Sequence, residues 1–277
     1  AVRGILNGTC NFILTQMEST GRSFAEVLAE AQKLGYAEAD PTLDVGGGDT
    51  AHKLTLLASL AFGTVPDLDG VSVTGIQNIS PDDIRFAREF GYRIKLLGVA
   101  RKTAKGVEQF VQPAMVPAGT PLADVDGSFN AVVADAGDAG SFFFEGRGAG
   151  RGPTTSAVIA DLLDVARSGQ GGPGFGRPAR ALEKSARVPR EARSSAFYLR
   201  FQVLDVPGVM AEISRHLATE NISIESMLQR GRAPGEPVAI VMLTHDTRQV
   251  AVERALKTIA ESDKVFEAPC MIPMETV

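Results

Sequence analysis

The chain has 277 residues, 44% hydrophobic and 22% charged, with a formal net charge of −5. That length and apolar content suit two globular domains, and the acidic balance excludes the clustered Lys and Arg surface that phosphate neutralisation needs, so no nucleic-acid partner is expected. No apolar run approaches the roughly 20 residues of a membrane-spanning helix. Nothing at the front resembles a signal peptide, and two cysteines far apart in the chain, Cys10 and Cys270, read as reduced thiols of a cytoplasmic protein rather than a disulfide framework.

In chain order, the opening AVRGIL reads as a buried strand ending near Asn7. A chain beginning inside a strand leaves hydrogen-bonding groups to be matched elsewhere, so a preceding segment is expected. Residues 9–20 carry Phe12, Ile13 and Met17 at helical spacing and close on Gly21. SFAE at 23–26 has capping-box spacing, with Ser23 as N-cap and Glu26 at the third position. It opens a helix that buries Phe24, Val27, Leu28 and Ala31 and stops at Gly35. A polar, Gly-rich loop covers 36–48. Asp49 or Thr50 then caps a helix with Leu54, Leu57, Ala58 and Ala61 on one face, ended by Gly63.

After Pro66 the texture shifts to VSVTGI, a helix over 81–90, and alternating stretches near 94–101, 107–116, 128–134 and 141–145. These predict an antiparallel or mixed sheet covered by the preceding helices. Phe142, Phe143 and Phe144 in succession predict a strand buried on both faces. A glycine-rich turn from 146 leads into a helix reaching 167, with Pro153 near its first turn. The Gly, Pro, Arg and Ser composition of 168–195 predicts a linker. Beyond it, a strand at 197–203, a helix at 209–219, strands at 222–230 and 237–245, a helix at 248–262 and a strand at 265–271 give the β-α-β-β-α-β order of a ferredoxin-like fold. The expected class is α+β, with a helix-covered mixed sheet over 1–167 and a ferredoxin-like domain over 196–277.

The chemistry concentrates around Asp49 and Lys53, which lie at i and i+4 on one helical face. Glu38, Asp40 and Asp44 precede them in the loop. A carboxylate that fixes an ammonium group can prepare it for proton transfer to a carbonyl oxygen, and further carboxylates could accept the amino group of a zwitterionic substrate. The spacing is equally that of an exposed helical ion pair, worth a few tenths of a kcal/mol, or of a carboxylate cage for a divalent cation. A lysine inside the cluster already supplies counter-charge, which disfavours the cage. His52 points to another helical face, His216 and His245 are isolated, and Cys10 sits on an apolar helix, so no metal site is expected.

RGILNGTCNFILTQM (3–17), GYAEADPTLDVGGGDTAHKLTLLA (35–58), GYRIKLLGVA (91–100) and GRGAGRGPTTSAVIADLLD (146–164) together resemble the signature of homoserine dehydrogenases over roughly the first 167 residues. The resemblance implies NADPH- or NADH-dependent interconversion of L-homoserine and L-aspartate 4-semialdehyde, in the biosynthesis of threonine, methionine and isoleucine. It implies that Lys53 gives the proton to the aldehyde oxygen in the reductive direction and that Asp49 contacts the substrate and positions Lys53. It also implies that Glu38 binds the amino group, that Asp44 and Tyr36 line the same pocket, and that Gly148 and Gly150 form the turn approaching the nicotinamide. In that family a nucleotide-binding domain precedes the catalytic segment. No strand–GxGxxG–helix unit occurs in these 277 residues, so negligible NADPH affinity is expected of the chain as it stands.

VLDVPGVMAEISRHLATENISIESMLQ (203–229) resembles the ACT domain of amino-acid metabolism. The helix N-terminus after Gly208 offers unpaired N–H groups to a carboxylate. The resemblance implies an effector site at Asp205, Gly208, Val209, Asn221 and Ile222, side-by-side pairing into a homo-oligomer, and L-threonine as effector. The alternative for the whole chain is a non-catalytic amino-acid-binding and oligomerisation fragment.

Overall fold

Strand β1 (Val2–Ile5) lies between two longer neighbours in a six-stranded sheet, and this placement brings the segment after it to the site. It is followed by α1 (Gly8–Thr20), α2 (Phe24–Lys33), α3 (Thr42–Val45), α4 (Gly48–Phe62), β2 (Val71–Val73), α5 (Pro81–Glu89), β3 (Tyr92–Thr103), β4 (Gly106–Pro117), β5 (Phe129–Asp135), β6 (Ser141–Arg147) and α6 (Arg151–Ser168). The computed structural model describes residues 1–168, 176–229 and 237–276, divided into two compact units, Ala1–Val188 and Pro189–Thr276. The fold class is α+β. Residues 169–175 of the expected linker, Arg230 at the end of an expected strand, and Val277 lie outside the described residues.

The sheet order is β2-β4-β3-β1-β5-β6, antiparallel except for the parallel β2–β4 pair. Helices α1, α4 and α5 pack on β3. Period-3.6 patterning explains the buried stripes: Cys10, Ile13, Leu14 and Met17 of α1, and Ala51, Leu54, Thr55 and Ala58 of α4. The close seat of α4 depends on Gly98 of β3, where an added Cβ would lie 3.2–3.4 Å from Leu6, Thr50 and Leu54. Burying a side chain such as Leu54, with 0% exposure, contributes about 1.5–3 kcal/mol. As the sequence predicts, a capping box opens α2 at Ser23–Glu26, and Gly21, Gly35 and Gly63 follow helix ends with positive φ; a second capping box, Ser80–Asp83, opens α5.

Four expectations are corrected. The loop 36–48 contains the short helix α3. The N-cap of α4 is Gly47, with no side-chain cap, because the carboxylate of Asp49 is engaged elsewhere. Ala61 is exposed on the solvent side of α4. Phe142, Phe143 and Phe144 are 38–62% exposed, because β6 is the edge strand of the sheet and none of the described elements covers it. Within the stretch of linker-like composition, residues 183–187 run along the first unit. Val65 N–H donates to the Glu183 carbonyl at 2.9 Å, Val107 N–H donates to the Ala186 carbonyl at 3.0 Å, and Arg187 grips Asp67 with two nitrogens at 2.6 and 2.7 Å.

The second unit holds β7 (Ser194–Ser195), β8 (Phe197–Leu204), α7 (Val209–Thr219), β9 (Ile224–Gln229), β10 (Pro237–Thr244), β11 (Thr247–Arg248), α8 (Gln249–Ile259) and β12 (Cys270–Pro273). Its antiparallel order β12-β8-β10-β9 is the ferredoxin-like arrangement. Phe197, Leu199, Phe201 and Val203 alternate inward along β8 to meet Ile213 and Leu217 of α7 and Val252 and Leu256 of α8. The last strand begins at Cys270 rather than 265, and Val265 makes an isolated bridge to Val203 instead.

Candidate active site

Two helix N-termini converge on one cleft of the first unit. Asn7 is extended at φ −128° and caps α1 by accepting the Cys10 N–H at 2.8 Å. On the other side, Gly46, Gly47 and Gly48 turn the chain sharply from α3 into α4. Gly47 has φ +86°, and a Cβ there would lie 3.0 and 3.1 Å from Val73 and Val111. The turn places Asp49 in the first turn of α4, one turn before Lys53. Lys53 Nζ donates to Asp49 Oδ2 at 2.7 Å and to the Leu6 carbonyl at 3.1 Å. Asn7 Nδ2 donates to Asp44 Oδ1 at 2.7 Å and Asp49 Oδ2 at 2.8 Å. The partial positive ends of α1 and α4 favour this carboxylate pair.

Cys10 Sγ donates to the Asp44 carbonyl at 3.2 Å. Burial, together with the charges of Asp44 and Asp49, pushes its pKa far above the ordinary thiol value, so it remains a donor. Thr9 Oγ1 donates to the Tyr36 carbonyl at 2.6 Å, and the Tyr36 ring stacks on Phe12 at 4.5 Å. From the start of β5 and the residue before it, and from the turn after β6, come Asn130, Ser128, Gly148, Ala149 and Gly150, completing a cavity of about 340 Å³. Space is tight at two of its walls. A Cβ at Gly8 would lie 2.8 Å from the Ser128 carbonyl, and one at Gly148 would run into the Asn130 carboxamide.

Six of the residues singled out in the sequence are thus brought together: Lys53, Asp49, Asp44, Tyr36, Gly148 and Gly150 all line the cavity. Glu38 is exposed and is not a lining residue; its main-chain carbonyl accepts from Gln32 Nε2 at 3.0 Å. Asp40 is also exposed, with hydrogen bonds from Thr42 holding its carboxyl below the usual range. His52 is exposed beside Lys53. Among the described residues no His, Cys, Asp and Glu group of three or more is placed to hold a metal ion. Sequence reasoning missed Asn7, Gly8, Thr9, Ser128 and Asn130. For Asn7 a signal existed, since a cap-forming residue sits between the strand and α1; Ser128 and Asn130 are joined to the site by sheet pairing over 120 residues away.

An ammonium has three N–H donors. Two of those on Lys53 are directed at protein acceptors, which leaves the third for a ligand oxygen in the cavity. The Lys53–Asp49 pair is about half exposed on the lysine side, so its value lies in orientation more than in stability. Gly47→Ala is expected to cost about 1–2 kcal/mol through the left-handed φ, with the contacts to Val73 and Val111 adding to it; urea unfolding measures the loss.

In the second unit, the turn between β8 and α7 forms a cavity of about 440 Å³, lined by 204–210 with Gln229 and Ile240. Asp205, Gly208 and Val209 are in its wall. Gly208 caps α7 with φ +94° and no side-chain hydrogen bond. Asn221, at φ +57°, and the core residue Ile222 are not lining residues.

Fold and site together define a protein of two functional parts, an α+β unit with a lysine–carboxylate cleft and an ACT domain; the ACT family model matches residues 197–262. Residues 1–163 match the family model described as homoserine dehydrogenase, and the chain belongs to the homoserine dehydrogenase family. It is 43% identical over 282 residues to the homoserine dehydrogenase of Neisseria gonorrhoeae, covering 100% of this chain and 65% of that protein. The crystal structure of a homoserine dehydrogenase from Thiobacillus denitrificans superposes with a TM-score of 0.90 at 43% identity, over 99% of this chain and 64% of that one. A hyperthermophilic archaeal homoserine dehydrogenase mutant in complex with NADPH matches 60% of this chain and 47% of that one at 26% identity, TM-score 0.51. The chain therefore spans a little under two thirds of the length of its Neisseria and Thiobacillus relatives.

Proposed function

We propose that the first unit is the substrate-binding and proton-transfer part of a homoserine dehydrogenase, a cytoplasmic oxidoreductase that interconverts L-homoserine and L-aspartate 4-semialdehyde. The single observation that carries this reading is the Lys53 ammonium, fixed by Asp49 and the Leu6 carbonyl at the wall of a cavity sized for a small amino acid. Lys53 Nζ holds the proton exchanged with the substrate oxygen. Asp49 orients that amine, and Asp44 supplies a second negative group toward the substrate's ammonium. Glu38 keeps its proposed role toward the amino group through movement of the 36–40 loop, whose residues 38–40 are exposed.

NADPH or NADH is the proposed cofactor, consistent with the NADPH complex of the archaeal relative. The residues present fit close approach by a flat ring: the wall at Gly148 and Gly150 has no side chains, and Asn130 already fills the space a Cβ at Gly148 would need. When bound, the nicotinamide supplies or takes up the hydride. The test is a steady-state assay with L-homoserine and NADP, using this chain fused behind a dinucleotide-binding domain of the family. Turnover that depends on Lys53 supports the reading; homoserine binding without turnover favours a non-catalytic amino-acid-binding fragment.

The ACT domain is proposed to bind L-threonine as an end-product effector and to pair into a homo-oligomer. The cavity beside Asp205, Gly208 and Val209 supports this, with uncapped N–H groups of α7 available to a carboxylate. Asn221 and Ile222 would act by shaping the entry to β9, whose end, Gln229, reaches the cavity. Calorimetric titration with L-threonine is expected to give saturable heat; a flat titration at millimolar ligand withdraws the effector assignment.

A further inference from the structure

Asp44 and Asp49 flank the triple-glycine turn, and like charges held close to each other repel. Between them stands one carboxamide. Asn7 Nδ2 donates to Asp44 Oδ1 at 2.7 Å and to Asp49 Oδ2 at 2.8 Å. A side-chain amide nitrogen carries two N–H donors, and both are used in this bridge. The Asp49 oxygen that accepts from Asn7 is the one that accepts from Lys53 at 2.7 Å, and Lys53 also donates to the carbonyl of Leu6, the residue before Asn7. A ring results, running from Asn7 through Asp49 and Lys53 back to the main chain at Leu6.

The other end of the carboxamide is equally committed. Asn7 Oδ1 accepts the Cys10 N–H at 2.8 Å, which fixes the amide with its nitrogen toward the carboxylates. Asn7 is 5% exposed, so water competes little for these contacts. Cys10, the third residue of the same helix, holds the Asp44 carbonyl from the other side at 3.2 Å. An aspartate at position 7 would cap α1 equally well but would place a third carboxylate where a donor is needed. A serine would cap α1 and leave both bridge bonds unmade.

We propose that Asn7 is a positioning residue of this site, its carboxamide bridging Asp44 and Asp49 so that Asp49 holds Lys53 toward the substrate oxygen. The proposal rests on the reading of Lys53 and Asp49 as the proton-transfer pair. It makes Asn7 more than a helix cap, and the two roles separate experimentally because serine and asparagine cap helices about equally well whereas alanine does not.

The experiment compares the parent chain with Asn7→Ala and Asn7→Ser, following the thermal midpoint and the binding of L-homoserine by calorimetry. Asn7→Ala is expected to lower both. Asn7→Ser is expected to restore the midpoint to near the parent value while binding stays about tenfold or more weaker, the loss associated with a hydrogen bond to a charged group. Serine restoring binding together with the midpoint would reduce Asn7 to a cap and overturn the proposal. Asp49→Asn is the control. If it weakens binding and Asn7→Ser does not, the inference fails while the site reading survives. If Asp49→Asn leaves binding unchanged, or the parent chain binds no L-homoserine, the site reading fails and the inference falls with it.

Discussion

Lys53→Met is expected to lower kcat for L-homoserine oxidation by about 10²–10⁴, the range associated with loss of a positioned acid–base group, while leaving the first unit folded. Methionine keeps the length and the apolar stem of lysine and removes all three N–H donors. The stem lies on α4 with Leu54 and Ala58 on the buried side, so packing is little disturbed. The lost ion pair with Asp49 is an i,i+4 contact with the lysine 49% exposed, worth no more than about 0.5 kcal/mol. On the proposed reading, what disappears is the proton's holding point at the substrate oxygen. In the reductive direction, negative charge builds on the aldehyde oxygen as hydride reaches its carbon, with no N–H left to give it a proton; in oxidation, the neutral amine that would take the hydroxyl proton is gone. Lys53→Arg sharpens the test, since a guanidinium keeps the positive charge but does not give up its proton at accessible pH. Both variants are expected to fall together in the fusion assay. A Lys53→Met enzyme within threefold of the parent would remove Lys53 from the chemistry.

The elements that were legible in the sequence are those whose signals are local. Ser23 with Glu26, and glycines at 21, 35 and 63, mark helix ends by their own backbone needs. The i,i+4 geometry of Asp49 and Lys53 follows from helix pitch, and the resemblance of the surrounding segments gave it a role. Features decided by tertiary context were not legible. Phe142, Phe143 and Phe144 have the composition of a buried strand, yet the sheet order puts β6 at the edge. Glu38 is close in sequence to Asp44, but the stretch between them turns at Pro41 into α3, and only Asp44 faces the cavity. Asn7 reads as a strand-end residue until β1 is seen to deliver it between two carboxylates that arrive from 37 and 42 positions away.

The stability of the first unit relative to its Lys95→Met variant is expected to rise between pH 8 and about pH 10.5. Lys95 on β3 is 1% exposed, the second largest of the fully buried side chains among the described residues. Its ammonium donates to the Val125 carbonyl at 2.6 Å and to Asn11 Oδ1 at 3.4 Å, and lies 3.5 Å from Asp126. Burial pushes its pKa down to about 8 from 10.5; the Arg93 guanidinium adds to the drop, and Asp126 and Glu18 oppose it. Between those two values the unfolded chain retains a proton that the folded chain has released, so unfolding takes up a proton and rising pH favours the fold. The gain across the window is of the order of 3 kcal/mol. Below pH 8 the lysine is charged in both states and its desolvation is a constant cost. Methionine fills a similar volume without that cost but removes one of two donors to the Val125 carbonyl and the Lys95 donor to Asn11 Oδ1, so near pH 7 the variant is expected to be about as stable as the parent. Near pH 10 it falls behind. Urea unfolding of both proteins at the two pH values gives the difference directly, and parallel pH profiles would refute the assignment. The same ammonium has a structural consequence for the cleft. Asn11 Nδ2 donates to the Val125 and Phe129 carbonyls at 3.0 and 3.2 Å, so Lys95 and Asn11 together hold the 125–129 segment that carries Ser128 into the cavity wall.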